Sequence, residues 1–246
     1  MELLCDVPHA YPPLFGDEQI AGTKRLLSEL GIGISNLNAI TLYAIGDVYR
    51  PSWIEPDEKQ RGERLQHTLN CIAMAKKIGA QNLSTEPGGP VDGAGMSRRV
   101  LEKLFLQNIM IAEKVAQDAG VKILIEPEPG LLLENSAQFL NFIKDVPSDC
   151  VRLNFDIGHF YCVREEPEDL IYKLADYIAH FHLEDIAANR VHQHLIPGDG
   201  AIDFRSVLNA INGVGYKGYV TVELYPYQED PVSAARAAFE YLSSVI

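Results

Sequence analysis

Four residues have the types and spacing of a cation site: Glu126, Asp156, His182 and Glu223. Each closes a short apolar run, reading KILIE, RLNFD, AHFH and VTVE. They stand 30, 26 and 41 residues apart, about one strand-plus-helix unit each time. One carboxylate at a strand end is commonly a helix cap or a surface group. Four ionisable residues in succession, each just after a buried run, would leave unpaired charge out of water at a cost of several kcal/mol. Three carboxylates brought to one point repel one another unless a cation neutralises them. Two or three hard oxygens with one imidazole nitrogen suit a single divalent ion, and Mn²⁺, Mg²⁺, Co²⁺ and Zn²⁺ all remain open.

Such a site needs elements that deliver these residues to one place. Apolar runs fall at 2–5, 32–39, 82–85, 122–126, 152–157, 179–183 and 219–224. Most are short, rich in Ile, Val, Leu and Phe and nearly continuous, as strands buried on both faces read. Amphipathic stretches at 17–30, 57–78, 97–119, 135–145, 168–178, 204–212 and 231–245 alternate with them. Gly31, Gly79 and Gly120 stand where the first three of these stretches stop, as left-handed helix ends favour. Strict βαβα alternation implies a parallel sheet, either open and doubly wound or closed. The placement of the polar residues selects the barrel, because a (β/α)₈ TIM-type barrel sends consecutive strand ends to one face. The expectation is one α/β barrel domain over 1–246, with seven strands and seven helices.

Bulk composition narrows the partners. The 246 residues carry a formal net charge of −13 and are 47% hydrophobic, enough for a sizeable core. So acidic a chain, with its Lys and Arg scattered, repels phosphate backbones, so nucleic acid is not an expected partner. No apolar run is long enough for a membrane span, so no membrane partner is expected either. Cys5, Cys71, Cys150 and Cys162 lie far apart without a CxxC pair and read as reduced thiols of a cytoplasmic protein.

The segments IEPEPG, NFDIGHF, HFHLED followed by HLIPGDGAIDF, and VTVELYP resemble the sugar isomerase/epimerase superfamily of xylose isomerase-like TIM barrels. That group holds ketose 3-epimerases, hydroxypyruvate isomerase, inosose dehydratase and apurinic endonucleases. The resemblance runs from about Asn70 to the C-terminus and is strongest from Val121 onward. It implies that Glu126, Asp156, His182 and Glu223 are the metal ligands. It places a substrate-contacting histidine at His159 in the DxxH motif and leaves His180 in the layer below the metal. His194, in the His192-Gln193-His194 stretch, becomes a candidate substrate contact. The apurinic endonucleases have an Asp-x-His there and further histidines on earlier strands. Here ISNLNA and NLSTEPGG carry none, which counts against a three-metal hydrolase.

The implied chemistry is proton transfer on a small polyol or hydroxy-ketone through a metal-stabilised enediolate. Glu126 and Glu223 would lie on opposite faces of the substrate as catalytic acid and base. Epimerisation, isomerisation and dehydration of an inosose- or dehydroshikimate-like substrate all follow from the same ligands, and a non-catalytic metal-binding barrel is a further alternative. Arg190 and Trp53 are candidate substrate contacts, the first for a hydroxyl or carboxylate, the second for stacking on a sugar. Glu128 reads equally as a supporting partner of the site or as an exposed loop carboxylate. Counted against the resemblance, Glu126 ends the fourth strand instead of the fifth. The first β/α unit is therefore expected to be missing, and a second copy of the chain could cover the open strand edges.

Overall fold

The computed structural model describes residues 1–92 and 95–245. Seven strands lie in one sheet in sequence order, every neighbouring pair parallel: β1 (Glu2–Leu4), β2 (Asn36–Asn38), β3 (Asn82–Thr85), β4 (Lys122–Ile125), β5 (Val151–Asp156), β6 (Ile178–Leu183) and β7 (Val220–Val222). The sheet curls into a nearly closed TIM barrel. Ser35 Oγ beside β2 comes within 3.3 Å of Thr221 Oγ1 on β7, and Glu2 of β1 reaches His182 of β6. Eight α-helices are found among the described residues: α1 (Asp17–Leu30), α2 (Glu58–Ile78), α3 (Arg98–Ala119), α4 (Ser136–Ile143), α5 (Ile157–Cys162), α6 (Pro167–Leu174), α7 (Phe204–Gly213) and α8 (Pro231–Val245). None is long and apolar enough to cross a membrane.

The seven expected helical stretches are present, and α5 is an addition. It begins directly after β5 because the Asp156 carboxylate caps it, accepting from His159 N–H at 2.7 Å. The anticipated strands at 32–39 and 219–224 shorten to three residues each. For β7 the cause is its place at the sheet end, where β6 alone offers a ladder. The first three helices do end at glycines, with Gly31, Gly79 and Gly120 at φ of 65°, 90° and 70°.

The strands alternate more than their sequence suggests. Leu37, Leu83, Ile123, Ile125, Phe155 and Phe181 are fully buried and join Ile72, Phe105, Ile109 and Phe139 of the helices in one hydrophobic core. Apart from Leu124 on β4, the residues between them carry polar groups into the barrel. Asn36 and Asn38 donate to the two oxygens of Glu2, each at 3.0 Å, and Asn36 also donates to Ser84 Oγ at 2.9 Å. His180 sits 2.9 Å from Asn154 Oδ1 and 3.0 Å from Thr221 Oγ1. Branched aliphatics usually fill such an interior. Here a hydrogen-bonded network does, and in a low dielectric it holds its members in fixed orientations.

Candidate metal centre

The parallel register gathers the four strand-end residues. Glu126 directly follows β4 and Asp156 ends β5, and Asp156 pairs with His182 in the ladder between β5 and β6. Glu223 follows β7, its N–H donating to Leu183 O at 2.9 Å. One ligand atom from each of the four lies within 4.8 Å of the others. His182 Nδ1 is 3.1 Å from Glu126 Oε1, 3.8 Å from Glu223 Oε2 and 3.9 Å from Asp156 Oδ2. Glu126, Asp156 and His182 are buried, whereas the Glu223 side chain keeps 27% of its surface open. Solvent therefore reaches the cluster on the Glu223 side.

The donor set fits a divalent cation. Asp156 Oδ2 is buried without a hydrogen-bond partner, while Oδ1 is spent on the cap of α5. Glu126 Oε2 accepts from Asn154 Nδ2 at 2.5 Å, leaving Oε1 toward the cluster. Burial and the Glu126 charge push the Asp156 carboxyl up to about 7, and burial raises Glu223 well above the usual carboxylate range. Burial alone would lower His182, yet the carboxylates of Glu126, Glu2 and Glu223 outweigh it and raise the imidazole well above its ordinary value. Three crowded carboxylates holding a proton on their only imidazole are a cluster short of positive charge, and a divalent ion would supply it.

Around this centre stand neutral imidazoles. His159 is buried, its Nδ1 donating to Pro127 O at 3.1 Å and lying 3.7 Å from Asp156 Oδ1. His194 Nδ1 donates to Glu223 O at 3.2 Å. A carbonyl only accepts, so both rings carry their proton on Nδ1 and have Nε2 as an acceptor; that of His194 already faces His192 Nε2 at 3.3 Å, which donates to it. Burial, with the neighbouring histidines, lowers the pKa of both, His194 to about 3. Toward the opening, the exposed Tyr225 ring lies 4.5 Å from that of His194. Glu128 is buried and accepts from the Tyr49 hydroxyl, and burial raises its carboxyl to about 8. Its reading as an exposed loop carboxylate is thereby corrected.

Two expected contacts have other partners. Trp53 is 0% exposed, its Nε1 donating to Thr85 Oγ1 at 3.0 Å and its ring against Phe105. A ring sealed on all sides has no face for a sugar, so its role as a stacking platform is corrected to that of a core residue. Arg190 lies over the Tyr161 ring at 3.9 Å and donates to Tyr161 O and Glu166 Oε1. That engagement occupies both terminal guanidinium nitrogens with partners outside the cluster.

Sequence reasoning missed Glu2, Asn154 and Glu184. Both Glu2 oxygens meet His182 Nε2, at 2.9 and 3.1 Å. Its signal was a lone carboxylate inside the apolar run MELLC. Glu184 is buried with neither oxygen hydrogen-bonded, and together with Asp156 and His194 it forms another group whose ligand atoms lie within 4.8 Å. Gly158 is required beside it, since a Cβ there would stand 1.8 Å from Glu184 Oε1.

Curated relatives include inosose dehydratases and a fructoselysine 3-epimerase. The chain is 29% identical to inosose dehydratase from Lacticaseibacillus casei over 149 residues, 53% of this chain and 50% of that protein. The chain thus spans about half the length of the first relatives it matches. It is 28% identical to fructoselysine 3-epimerase from Shigella flexneri over 244 residues, covering 97% of this chain and 85% of the relative. Among solved structures, a D-tagatose 3-epimerase-like protein superposes with a TM-score of 0.80 at 22% identity, covering 99% of this chain and 88% of the other. At that identity the likeness is one of fold. The model of one family matches residues 1–245, and with the barrel described above it identifies the chain as a member of the xylose isomerase-like TIM barrel family.

Proposed function

We propose that this protein is a metal-dependent sugar isomerase or epimerase acting on a small polyol or hydroxy-ketone. The observation that carries this reading is the convergence of Glu126, Asp156, His182 and Glu223, with Asp156 Oδ2 buried and unpaired. These four would hold the ion. A bound divalent cation supplies Lewis-acid polarisation of a carbonyl and its neighbouring hydroxyl. Glu223, the open carboxylate, takes a proton from the carbon beside the carbonyl. For epimerisation Glu126, protonated, delivers one to the opposite face of the same carbon; for isomerisation one carboxylate carries the proton on a single face to the adjacent carbon. His159 accepts from a substrate hydroxyl through Nε2, and His194 does so once a substrate hydroxyl replaces His192 Nε2–H as its donor. The relatives that are epimerases and dehydratases support an enzyme on this class of substrate.

Dehydration is the second reading, favoured by Glu128. Its carboxyl keeps a proton up to about 8, so it could protonate a departing hydroxyl. One experiment tests both. Chelator-stripped protein is reloaded with Mn²⁺, Mg²⁺, Co²⁺ or Zn²⁺ and incubated in D₂O with ketoses and inososes, and the products are read by NMR. Solvent deuterium in a diastereomer or isomer supports the first reading, and a new C=C signal supports the second. Metal-loaded protein that gives neither across the panel refutes the enzymatic reading.

A further inference from the structure

The carboxylate of Glu2 is the only acidic group that meets His182 from the side opposite the cluster among the described contacts. A carboxylate accepts and never donates, so the 2.9 and 3.1 Å contacts require the proton on Nε2. Glu2 is itself held, one oxygen by Asn36 and the other by Asn38. The imidazole then spans the two groups, with Nε2 toward β1 and Nδ1 toward Glu126, Asp156 and Glu223. Rotating the ring by half a turn would withdraw Nε2–H from Glu2 and aim a C–H at the cluster. We propose that Glu2 is a positioning residue that holds His182 with its proton on Nε2 and so makes Nδ1 the nitrogen that binds the cation, an inference that rests on the metal-centre reading above. Metal-bound imidazoles commonly have the other ring nitrogen fixed by a carboxylate or carbonyl, and losing that partner weakens metal binding by about 10–100-fold.

The alternative is that Glu2 merely anchors β1 to β2 through the two asparagines. Zn²⁺ affinity by chelator competition and ¹⁵N long-range NMR of labelled histidines separate the two, using the full chain as wild type, Glu2→Leu and Glu2→Gln. The loaded wild type should show His182 protonated at Nε2 and metal-bound at Nδ1. Glu2→Leu should bind Zn²⁺ about 10–100-fold more weakly. Glu2→Gln keeps one acceptor oxygen for Nε2–H, while its NH2 faces one of the two asparagine donors, so it should retain the wild-type tautomer and recover part of the affinity. Metal on Nε2 in the wild type, or a folded Glu2→Leu with unchanged affinity, overturns the inference and leaves the metal centre standing. A wild type that takes up no Zn²⁺ overturns both. If Glu2→Leu does not fold, the wild-type tautomer still decides.

Discussion

Asp156→Asn should abolish the stabilisation by metal. In the wild type, Asp156 Oδ2 is buried and unpaired, with ligand atoms of Glu126, His182 and Glu223 within 4.8 Å. An ion that binds only the folded chain adds about 2.7 kcal/mol at 100 times its Kd. For a domain of this size, 1 kcal/mol moves Tm by about 2–4 °C, so saturation should raise Tm by about 5–11 °C. Without metal the sign is opposite. The folded Asp156 carboxyl is raised from 3.8 to about 7, so its contribution is fully present below 3.8 and is lost as pH rises through about 7. Asparagine carries no charge to bury and still caps α5. At about pH 8 the stripped variant should therefore melt at or above the stripped wild type, and should gain little from added ion. Scanning calorimetry with and without Mn²⁺ or Zn²⁺ reads both quantities. A wild type indifferent to every ion, or a variant that gains as much as the wild type, would refute the convergence of these four residues on one cation.

Four further outcomes are expected. Trp53→Ala should cost about 3–5 kcal/mol in urea unfolding, and the emission of this single Trp should not respond to polyols; a ligand-dependent shift would put its ring back in the site. Gly158→Ala should cost about 1–3 kcal/mol because its Cβ would meet the Glu184 carboxylate and, at 2.9 Å, Ile186 Cγ1, and adding Glu184→Ala should recover part of the loss; strictly additive losses would contradict the contact. Glu128, raised to about 8, contributes stability that is present below 4.5 and lost as pH rises through 8, so Glu128→Gln should flatten the urea midpoint between pH 6 and 9, and parallel profiles would contradict this. Arg190→Ala should change stability by no more than about 1 kcal/mol. It should leave turnover intact, and a drop of about tenfold in kcat/KM would return the guanidinium to the substrate.

Local patterns made the barrel legible. Glycines at 31, 79 and 120 punctuate the helices, and short apolar runs recur between them. The four candidate ligands were legible for the same reason: a charged residue just past a buried run stands out in one dimension, and parallel strands carry such residues to one face. What the sequence by itself determined was thus the order of elements and the residues at the strand ends. The tertiary structure alone decided how their neighbours are spent. Trp53 and Arg190 looked like substrate contacts because an aromatic ring and a guanidinium are chemically able to be so. Burial against Phe105 and pairing with Glu166 are long-range contacts that residue type does not encode. Glu2 hid inside an apolar run, and only barrel curvature brings β1 across to His182, 180 residues away. Charge in a low-dielectric interior is set by such neighbours, so the raised Asp156, the protonated Glu128 and the fixed tautomer of His182 could emerge only once the chain had closed on itself.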